Sequence, residues 1–235
     1  MRQIHEASSL AAEQLIAWRH SRAAPLQPAT ASPASRDLHT PDERKWPADS
    51  IEQVILRRGS TRQFTRDPIT YAQLSTVLDA ATRSINSDIE PSAGTFINDI
   101  YVLINNVVGL DPGAYFFDPL RKQLDLIKPG SYRDEAGYLG LEQQLPADAA
   151  VNVFFLADLN AVLTRLGNRG YRAVQLEAGI LGGKMYLAAY AQRLGATGLT
   201  FYDDDVVNFF SPHARGKSAI FLVALGKASK LAIGS

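Results

Sequence analysis

The 235-residue chain contains no cysteine, which excludes disulfide bonds, thiolate catalysis, iron–sulfur clusters and cysteine-ligated zinc. Its four histidines are scattered and none forms a His-x-x-x-His pair, so the sequence predicts no metal site. Lysine plus arginine and aspartate plus glutamate both total 24, which leaves no net charge. A nucleic-acid-binding protein usually has a basic excess, so nucleic acid is not an expected partner.

The sequence also lacks any run of 18 apolar residues, so we expect no transmembrane helix and no membrane partner. Its N-terminus is polar and amphipathic, without the continuous apolar segment of a secretory signal peptide. The composition, 46% hydrophobic and 20% charged, is that of an ordinary globular domain. These features predict a cytoplasmic protein.

Proline divides the chain into two parts, because five of the twelve prolines lie within residues 1–48. Such sequence favours extended or irregular backbone. We predict that residues 1–48 are a partly helical N-terminal extension that lies on the domain surface or on a partner subunit. A disordered leader is the alternative. Residues 49–235 are predicted to form the compact domain.

Within the compact part, helical and strand patterns alternate. One helix is predicted after Asp49 or Ser50, with Gly59 at its end, and a second after Thr70, which forms a capping box with Gln73. The buried stripe of the second helix is Leu74, Val77, Leu78 and Ala81. Further predicted elements are strands at 99–107, 149–158 and 218–226, a hairpin across 113–128, and a long helix at 170–195. This alternation predicts an α+β domain with a mixed sheet flanked by helices.

An arginine cluster, "RRGSTR" at 57–62, follows the first predicted helix of the domain. Arginines at a helix C-terminus interact favourably with the helix dipole, so a structural explanation is available. Two arginines four residues apart, with a glycine and a hydroxyl between them, could equally clamp an anion. This stretch alone leaves both interpretations open.

The long predicted helix has glycines at 179, 182 and 183, each of which costs about 1 kcal/mol relative to alanine. Such a small-residue patch permits close approach by a neighbouring helix of the same subunit, by a dimer partner, or by a flat ligand. Lys184 and Tyr186 follow the glycines and are candidates for proton transfer. A lysine here could instead extend along the surface into solvent.

A second small-residue stretch, "PSAG" at 91–94, precedes the first predicted strand. It is either an ordinary turn or a loop that presents backbone groups to a ligand at short range.

Three groups of motifs, taken in chain order, resemble the nitroreductase superfamily. They are "RRGSTRQF"; "PSAG" followed by "GAYFFDP"; and "NRGYRAVQLEAG" followed by "YLAAYAQRLGATGL" and "YDDDVVN". Within it, the chain is most similar to the SagB-type dehydrogenases, flavin enzymes associated with thiazole and oxazole formation in peptides. The resemblance covers about residues 50–228. It implies an α+β fold with a mainly antiparallel sheet and an FMN-dependent oxidoreductase that transfers hydride through flavin N5. It also implies a homodimer with FMN at the subunit interface, and a small-molecule or peptide substrate.

The resemblance implies cofactor-binding residues in four places. The contacts to the FMN phosphate and ribityl chain are Arg58, Ser60 and Arg62, with Gly59 between them. The loop beside the isoalloxazine ring is Ser92, Ala93 and Gly94. The segment that faces the ring from a strand is Gly198, Leu199 and Thr200. A further basic residue able to reach the phosphate is Lys227.

The chain departs from the SagB-type pattern at several positions. Related azoline-oxidising enzymes carry a lysine–tyrosine pair, to which Lys184 and Tyr186 correspond loosely because Met185 separates them. "TFINDIY" replaces a tyrosine–proline segment, and Phe201 stands where a small residue is common. Two alternatives therefore stay open. One is a degenerate module that binds a partner or peptide without redox turnover. The other is a nitro or quinone reductase with NAD(P)H as electron donor.

Overall fold

The computed structural model describes residues 2–20, 35–40, 42, 47, 49–83 and 96–229. Within them the strands are β1 Ser35–Asp37, β2 Ile69–Thr70, β3 Asp99–Ile104, β4 Val107–Val108, β5 Gly113–Asp118, β6 Gln123–Pro129, β7 Val151–Ala157, β8 Gly195–Leu199 and β9 Ser218–Gly226. Seven of them form one sheet in the order β1-β6-β5-β3-β7-β9-β8, and every neighbouring pair is antiparallel. Strands β2 and β4 form a separate parallel pair.

The described helices are α1 Arg2–Ala7, α2 Ala12–His20, α3 Ile51–Arg57, α4 Tyr71–Ala81, α5 Arg133–Leu139, α6 Gln144–Asp148, α7 Leu159–Leu166, α8 Arg169–Ala191 and α9 Asp203–Phe210. Helices α4 and α8 pack on one face of the sheet and form the larger core cluster with it. Helices α5 and α9 form a second cluster on the opposite face. The predicted α+β class, with a mainly antiparallel sheet flanked by helices, is confirmed.

Capping side chains fix the starts of α3 and α4. The hydroxyls of Ser50 and Thr70 accept hydrogen bonds from the backbone amides of Gln53 and Gln73, and both capping boxes are complete. The predicted stripe of α4 is fully buried. Helix α3 differs, because Val54 is its buried residue while Ile55 is 48% exposed. The apolar residues of α3 therefore contribute partly to the core and partly to an exposed surface.

Two of the N-terminal elements that the structure describes, β1 and α1, contact the domain. Strand β1 pairs with β6, and the Tyr71 hydroxyl donates a 2.7 Å hydrogen bond to the carbonyl of Asp37. Helix α1 lies at the start of α8, where Asn168 donates to the carbonyl of Ala7. Residues 21–34 lie outside the described part of the chain. The division at residue 48 remains a prediction.

Candidate functional site

A cavity of about 490 Å3 opens between α3 and α8, above the β9 side of the sheet. Its lining consists of Ile55, Arg58, Ser60, Gly179, Gly182, Gly183, Tyr186, Leu187 and Phe221. Two of the predicted phosphate contacts thus share one cavity with the three helix glycines and a predicted proton-transfer residue. Cavities of this size are typical of small-molecule and cofactor sites.

The three glycines of α8 that line the cavity are required for two different structural reasons. A Cβ atom added at Gly182 would lie 2.5 Å from Cε1 of Phe221, so this glycine permits close packing of the helix on the sheet. A Cβ at Gly179 or Gly183 would meet no described atom within 4 Å. These two glycines therefore leave the cavity wall flat and open.

Phe221 of β9 forms the floor of the cavity. Its ring stacks on Phe155 with 6.0 Å between centroids and 26° between planes. A Cβ at Gly198 would lie 3.0 Å from Cζ of Phe221, so the ring is held between two glycine positions, 182 and 198. The Tyr186 hydroxyl accepts a hydrogen bond from the backbone amide of Gly198 beside it.

The arginine cluster divides into buried and cavity-lining residues. Arg57 Nη2 donates to Asp49 Oδ2 at 2.7 Å and to the carbonyl of Tyr190 at 2.9 Å, so Arg57 holds α3 against α8. Arg57 is half-buried, and Thr61 is buried. Arg58 and Ser60, which lie between them in sequence, are exposed and line the cavity. Arg57 therefore has a structural contact, whereas Arg58 is available to a ligand in the cavity.

The remaining predicted cofactor contacts lie at different distances from the cavity. Gly59 is half-buried between Arg58 and Ser60. Arg62 and Lys227 are exposed, and they lie on two adjoining segments, because the Thr65 amide donates to the Lys227 carbonyl at 3.0 Å. Two more of the predicted contacts, Leu199 and Thr200, do not line the cavity described above. The loop positions Ser92, Ala93 and Gly94 lie outside the described residues.

Lys184 and Tyr186 lie on different sides of α8, as expected for helix positions two residues apart. Lys184 Nζ donates to the carbonyl of Arg83 at the end of α4. It lines a second, more open cavity of about 300 Å3 bounded by α3 and α4. The structure therefore does not bring Lys184 into the cavity that Tyr186 lines.

Phe201 packs against the second core cluster, on the face of the sheet opposite α8. It does not line the cavity. The size of Phe201, at a position where a small residue is common, therefore does not narrow this cavity.

Glu177 is a buried acid that the sequence reasoning missed. It is 1% exposed and accepts hydrogen bonds from the backbone amides of Ile97, at 2.9 Å, and Asn98, at 2.7 Å. The Asn98 side chain donates to the same carboxylate at 2.8 Å. Glu177 therefore fixes the chain just before β3. The sequence signal for its burial is its position three residues after Val174, which places both on the buried face of α8.

The chemistry of the cavity is that of a binding site for a flat, anionic molecule. The Arg58 guanidinium can donate two parallel hydrogen bonds to a phosphate, and the Ser60 hydroxyl can add a third. The open wall at Gly179 and Gly183 admits a planar ring at short range.

Within the described residues, no cluster of His, Cys, Asp or Glu could hold a metal ion. Across the same residues, no helix is long and apolar enough to cross a membrane.

The family profile of the nitroreductase family matches residues 55–227, a range that contains Arg58, the three helix glycines and Phe221. The chain belongs to the nitroreductase family. This nitroreductase-family protein is 31% identical over 161 residues to a protein of Methanocaldococcus jannaschii that is named as a nitroreductase. The match covers 66% of this chain and 81% of the relative.

Solved structures of the family share the fold. A protein of Anabaena variabilis named as a nitroreductase superposes with a TM-score of 0.74 at 26% identity, over 83% of this chain and 41% of that one. This chain therefore spans less than half the length of the Anabaena protein.

Two more distant structures resemble this nitroreductase-family protein in fold alone. The Escherichia coli microcin synthetase McbBCD complex with truncated pro-MccB17 bound has a TM-score of 0.64 at 14% identity, over 97% of this chain and 87% of that one. The NADPH:FMN oxidoreductase of Vibrio harveyi complexed with NAD+ has a TM-score of 0.53 at 18% identity, over 78% and 70%.

Proposed function

We propose that this nitroreductase-family oxidoreductase is an FMN-dependent dehydrogenase of the SagB type. The observation that carries the proposal is the cavity in which Arg58 and Ser60 lie at one end of a flat wall formed by Gly179 and Gly183. FMN fits these residues because it combines a dianionic phosphate with a planar ring. When bound, the flavin would supply hydride transfer through N5, while the protein supplies position and electrostatics.

The phosphate end is assigned to four side chains. Arg58 binds phosphate through its planar guanidinium and Ser60 donates its hydroxyl, since both line the cavity. Arg62 and Lys227, exposed on adjoining segments, add positive charge on the solvent side. We keep Ser92, Ala93 and Gly94, and the segment Gly198, Leu199 and Thr200, as ring contacts on the strength of the family resemblance.

Tyr186 is the better supported of the two proton-transfer candidates. Its hydroxyl accepts the Gly198 amide, which leaves the phenol's own proton free to be donated towards the cavity. Lys184 would first have to leave the carbonyl of Arg83 and reach around α8. We therefore assign proton donation to Tyr186 and keep Lys184 as a second candidate.

A homodimer with FMN at its interface is part of the proposal. Leu56 and Ile51 of α3 are 80% and 54% exposed, and Ile55 of the same helix lines the cavity. A partner subunit packed on this apolar surface would also cover the mouth of the cavity and exclude water from it.

The two redox candidates, a peptide dehydrogenase and a nitro or quinone reductase, differ in their substrate. Structural likeness to the microcin synthetase complex, which holds truncated pro-MccB17, favours a peptide substrate. Structural likeness to the Vibrio harveyi NADPH:FMN oxidoreductase favours the alternative, a nitro or quinone reductase that uses NAD(P)H. Anaerobic addition of NADPH distinguishes them, because rapid bleaching of the flavin absorbance is expected for the reductase and not for the peptide dehydrogenase.

The cofactor is tested by the absorbance spectrum of the purified protein and by titration with FMN. We expect flavin bands that are released on denaturation, and loss of FMN retention in the Arg58→Ala/Arg62→Ala double variant. Arg215→Ala, which removes an exposed arginine from the loop before β9, is the matched control and should retain FMN. A colourless protein that takes up no added FMN would refute the proposal in favour of a binding module.

A further inference from the structure

Tyr190, near the C-terminus of α8, is 1% exposed and has two hydrogen bonds to the segment that carries the phosphate-binding residues. Its carbonyl accepts from Nη2 of Arg57 at 2.9 Å. Its hydroxyl lies 3.2 Å from Oγ1 of Thr61, a contact buried from solvent. A single residue of α8 therefore holds the segment 57–61 at both ends, through its backbone carbonyl at Arg57 and through its hydroxyl at Thr61.

Thr61 is fixed on its other side by β8. Its amide donates to the carbonyl of Ala196 at 2.9 Å, and its side chain is 4% exposed. A Cβ at Gly195 would lie 2.3 Å from Oγ1 and 3.0 Å from Cγ2 of Thr61, so the threonine packs directly on the β8 backbone. The Thr61 hydroxyl thus has a single defined place, between Tyr190 and β8.

Arg58 and Ser60 lie between these fixed residues and line the cavity. A binding group whose backbone is already fixed loses less conformational entropy on binding than one on a free loop. Tyr190 also lies on the helix that supplies Gly179 and Gly183. The distance between the anion-binding end and the flat wall is therefore set by one rigid element.

We propose that Tyr190 is a positioning residue, which acts through its hydroxyl contact with Thr61 to place Arg58 and Ser60 for a phosphate group. The inference rests on the proposed FMN function, and it deepens that function by assigning the discrimination between phosphorylated and unphosphorylated flavin to a buried residue that never touches the ligand. Loss of the contact weakens binding of the phosphate and leaves binding of the ring unchanged.

The test compares FMN with riboflavin, which has the same ring and lacks the phosphate. Flavin-free wild type, Tyr190→Phe and Thr61→Val are titrated with each flavin, and binding is followed by quenching of flavin fluorescence. Both variants keep side-chain volume and remove one hydroxyl. We expect FMN affinity to fall about five- to tenfold, the size of one neutral hydrogen bond, with riboflavin affinity unchanged.

Two further variants are controls for the loss of the hydroxyl contact. Thr61→Ser keeps the hydroxyl and should bind FMN as the wild type does. Tyr171→Phe removes a hydroxyl from an exposed tyrosine of the same helix and should leave both affinities unchanged.

The outcomes distinguish failure of the Tyr190 inference from failure of the proposed FMN function. Equal weakening of FMN and riboflavin in Tyr190→Phe and Thr61→Val, or no weakening of either, would show that the buried contact supports the fold alone and would overturn the inference. A wild-type protein that binds neither flavin would overturn the proposed function itself, and the inference with it. If Tyr190→Phe does not fold, Thr61→Val decides the question alone.

Discussion

Replacing Gly182 or Gly183 of α8 with alanine gives a test whose result can be estimated from the structure. Alanine in a helix interior is favoured over glycine by about 1 kcal/mol, so the substitution stabilises the protein wherever the new methyl group has space. At Gly183 the methyl group would meet no described atom within 4 Å. We therefore expect Gly183→Ala to raise the free energy of unfolding of the flavin-free protein by about 1 kcal/mol.

At Gly182 the same methyl group would lie 2.5 Å from Cε1 of Phe221 and 3.3 Å from Cγ2 of Val223. The Phe221 ring cannot move away easily, because it stacks on Phe155 on one side and contacts Gly198 on another. Overpacking of this kind costs about 1–3 kcal/mol, which offsets or exceeds the gain in helix propensity. Gly182→Ala should thus be less stable than Gly183→Ala by about 1–3 kcal/mol.

Urea denaturation of the flavin-free variants measures this difference, and FMN titration adds an independent result. Gly183→Ala should weaken FMN binding although it stabilises the protein, because its methyl group takes up space in the cavity. If Gly182→Ala and Gly183→Ala are stabilised equally, the packing described for Phe221 is wrong. If Gly183→Ala binds FMN like the wild type, the ring does not approach this wall.

Three further predictions concern stability. Arg57→Ala should lower the free energy of unfolding by about 2 kcal/mol in urea, since it removes a charged hydrogen bond, whereas Arg58→Ala should change it little. Burial alone would raise the pKa of Asp79, but hydrogen bonds from a lysine and an arginine outweigh it and hold that pKa below its ordinary 3.8. Stability from this depressed pKa is lost as the pH falls below about 4, and Asp79→Asn should flatten that loss in acid unfolding curves. Burial raises the pKa of Tyr71 to about 12, so its contribution is lost as the pH rises above about 10. Tyr71→Phe should remove this alkaline loss and also the bond to Asp37, as thermal unfolding at pH 8 and 11 would show.

Much of the fold follows from sequence because local signals and tertiary packing agree. The capping boxes at Ser50 and Thr70 are both present, and the strand predicted at 218–226 has those bounds. The strand predicted at 99–107 stops at Ile104, because the amides of Asn105 and Asn106 both turn to the carbonyl of Ala150. The strand thus ends at a contact with a segment more than 40 residues away, at Ala150, and no local sequence pattern predicts such a contact.

Other elements were not predicted, for different physical reasons. Strand β1 has three residues, and its pairing with β6 crosses about 90 positions. Helix α7 buries Val162 and Leu166, but it has only eight residues and lies between two stronger elements, β7 and α8. Helices α5 and α6 are short and separate, because the chain turns at Gly140, where a Cβ would lie 2.4 Å from Pro146 Cγ.

The site was partly predictable for the same reason. Arg58 and Ser60 carry a chemical signal in their own short stretch, and the glycines do so in theirs. Phe221 gives no such signal, since one aromatic residue in a buried strand resembles any other core residue. The separation of Lys184 from Tyr186 follows from helix geometry alone, which places positions two apart on different sides.

Both ends of the seven-stranded sheet are closed by short pieces from the first third of the chain. Strand β1 covers β6, and the Thr61 amide bonds to β8 on the side away from β9. A free strand edge is a template for pairing with another molecule, and short edge segments suppress such pairing. Residues 35–37, remote from the cavity, thus protect the protein against self-association through β6. A shortened protein that begins at residue 49 could keep every cavity-lining side chain and still precipitate.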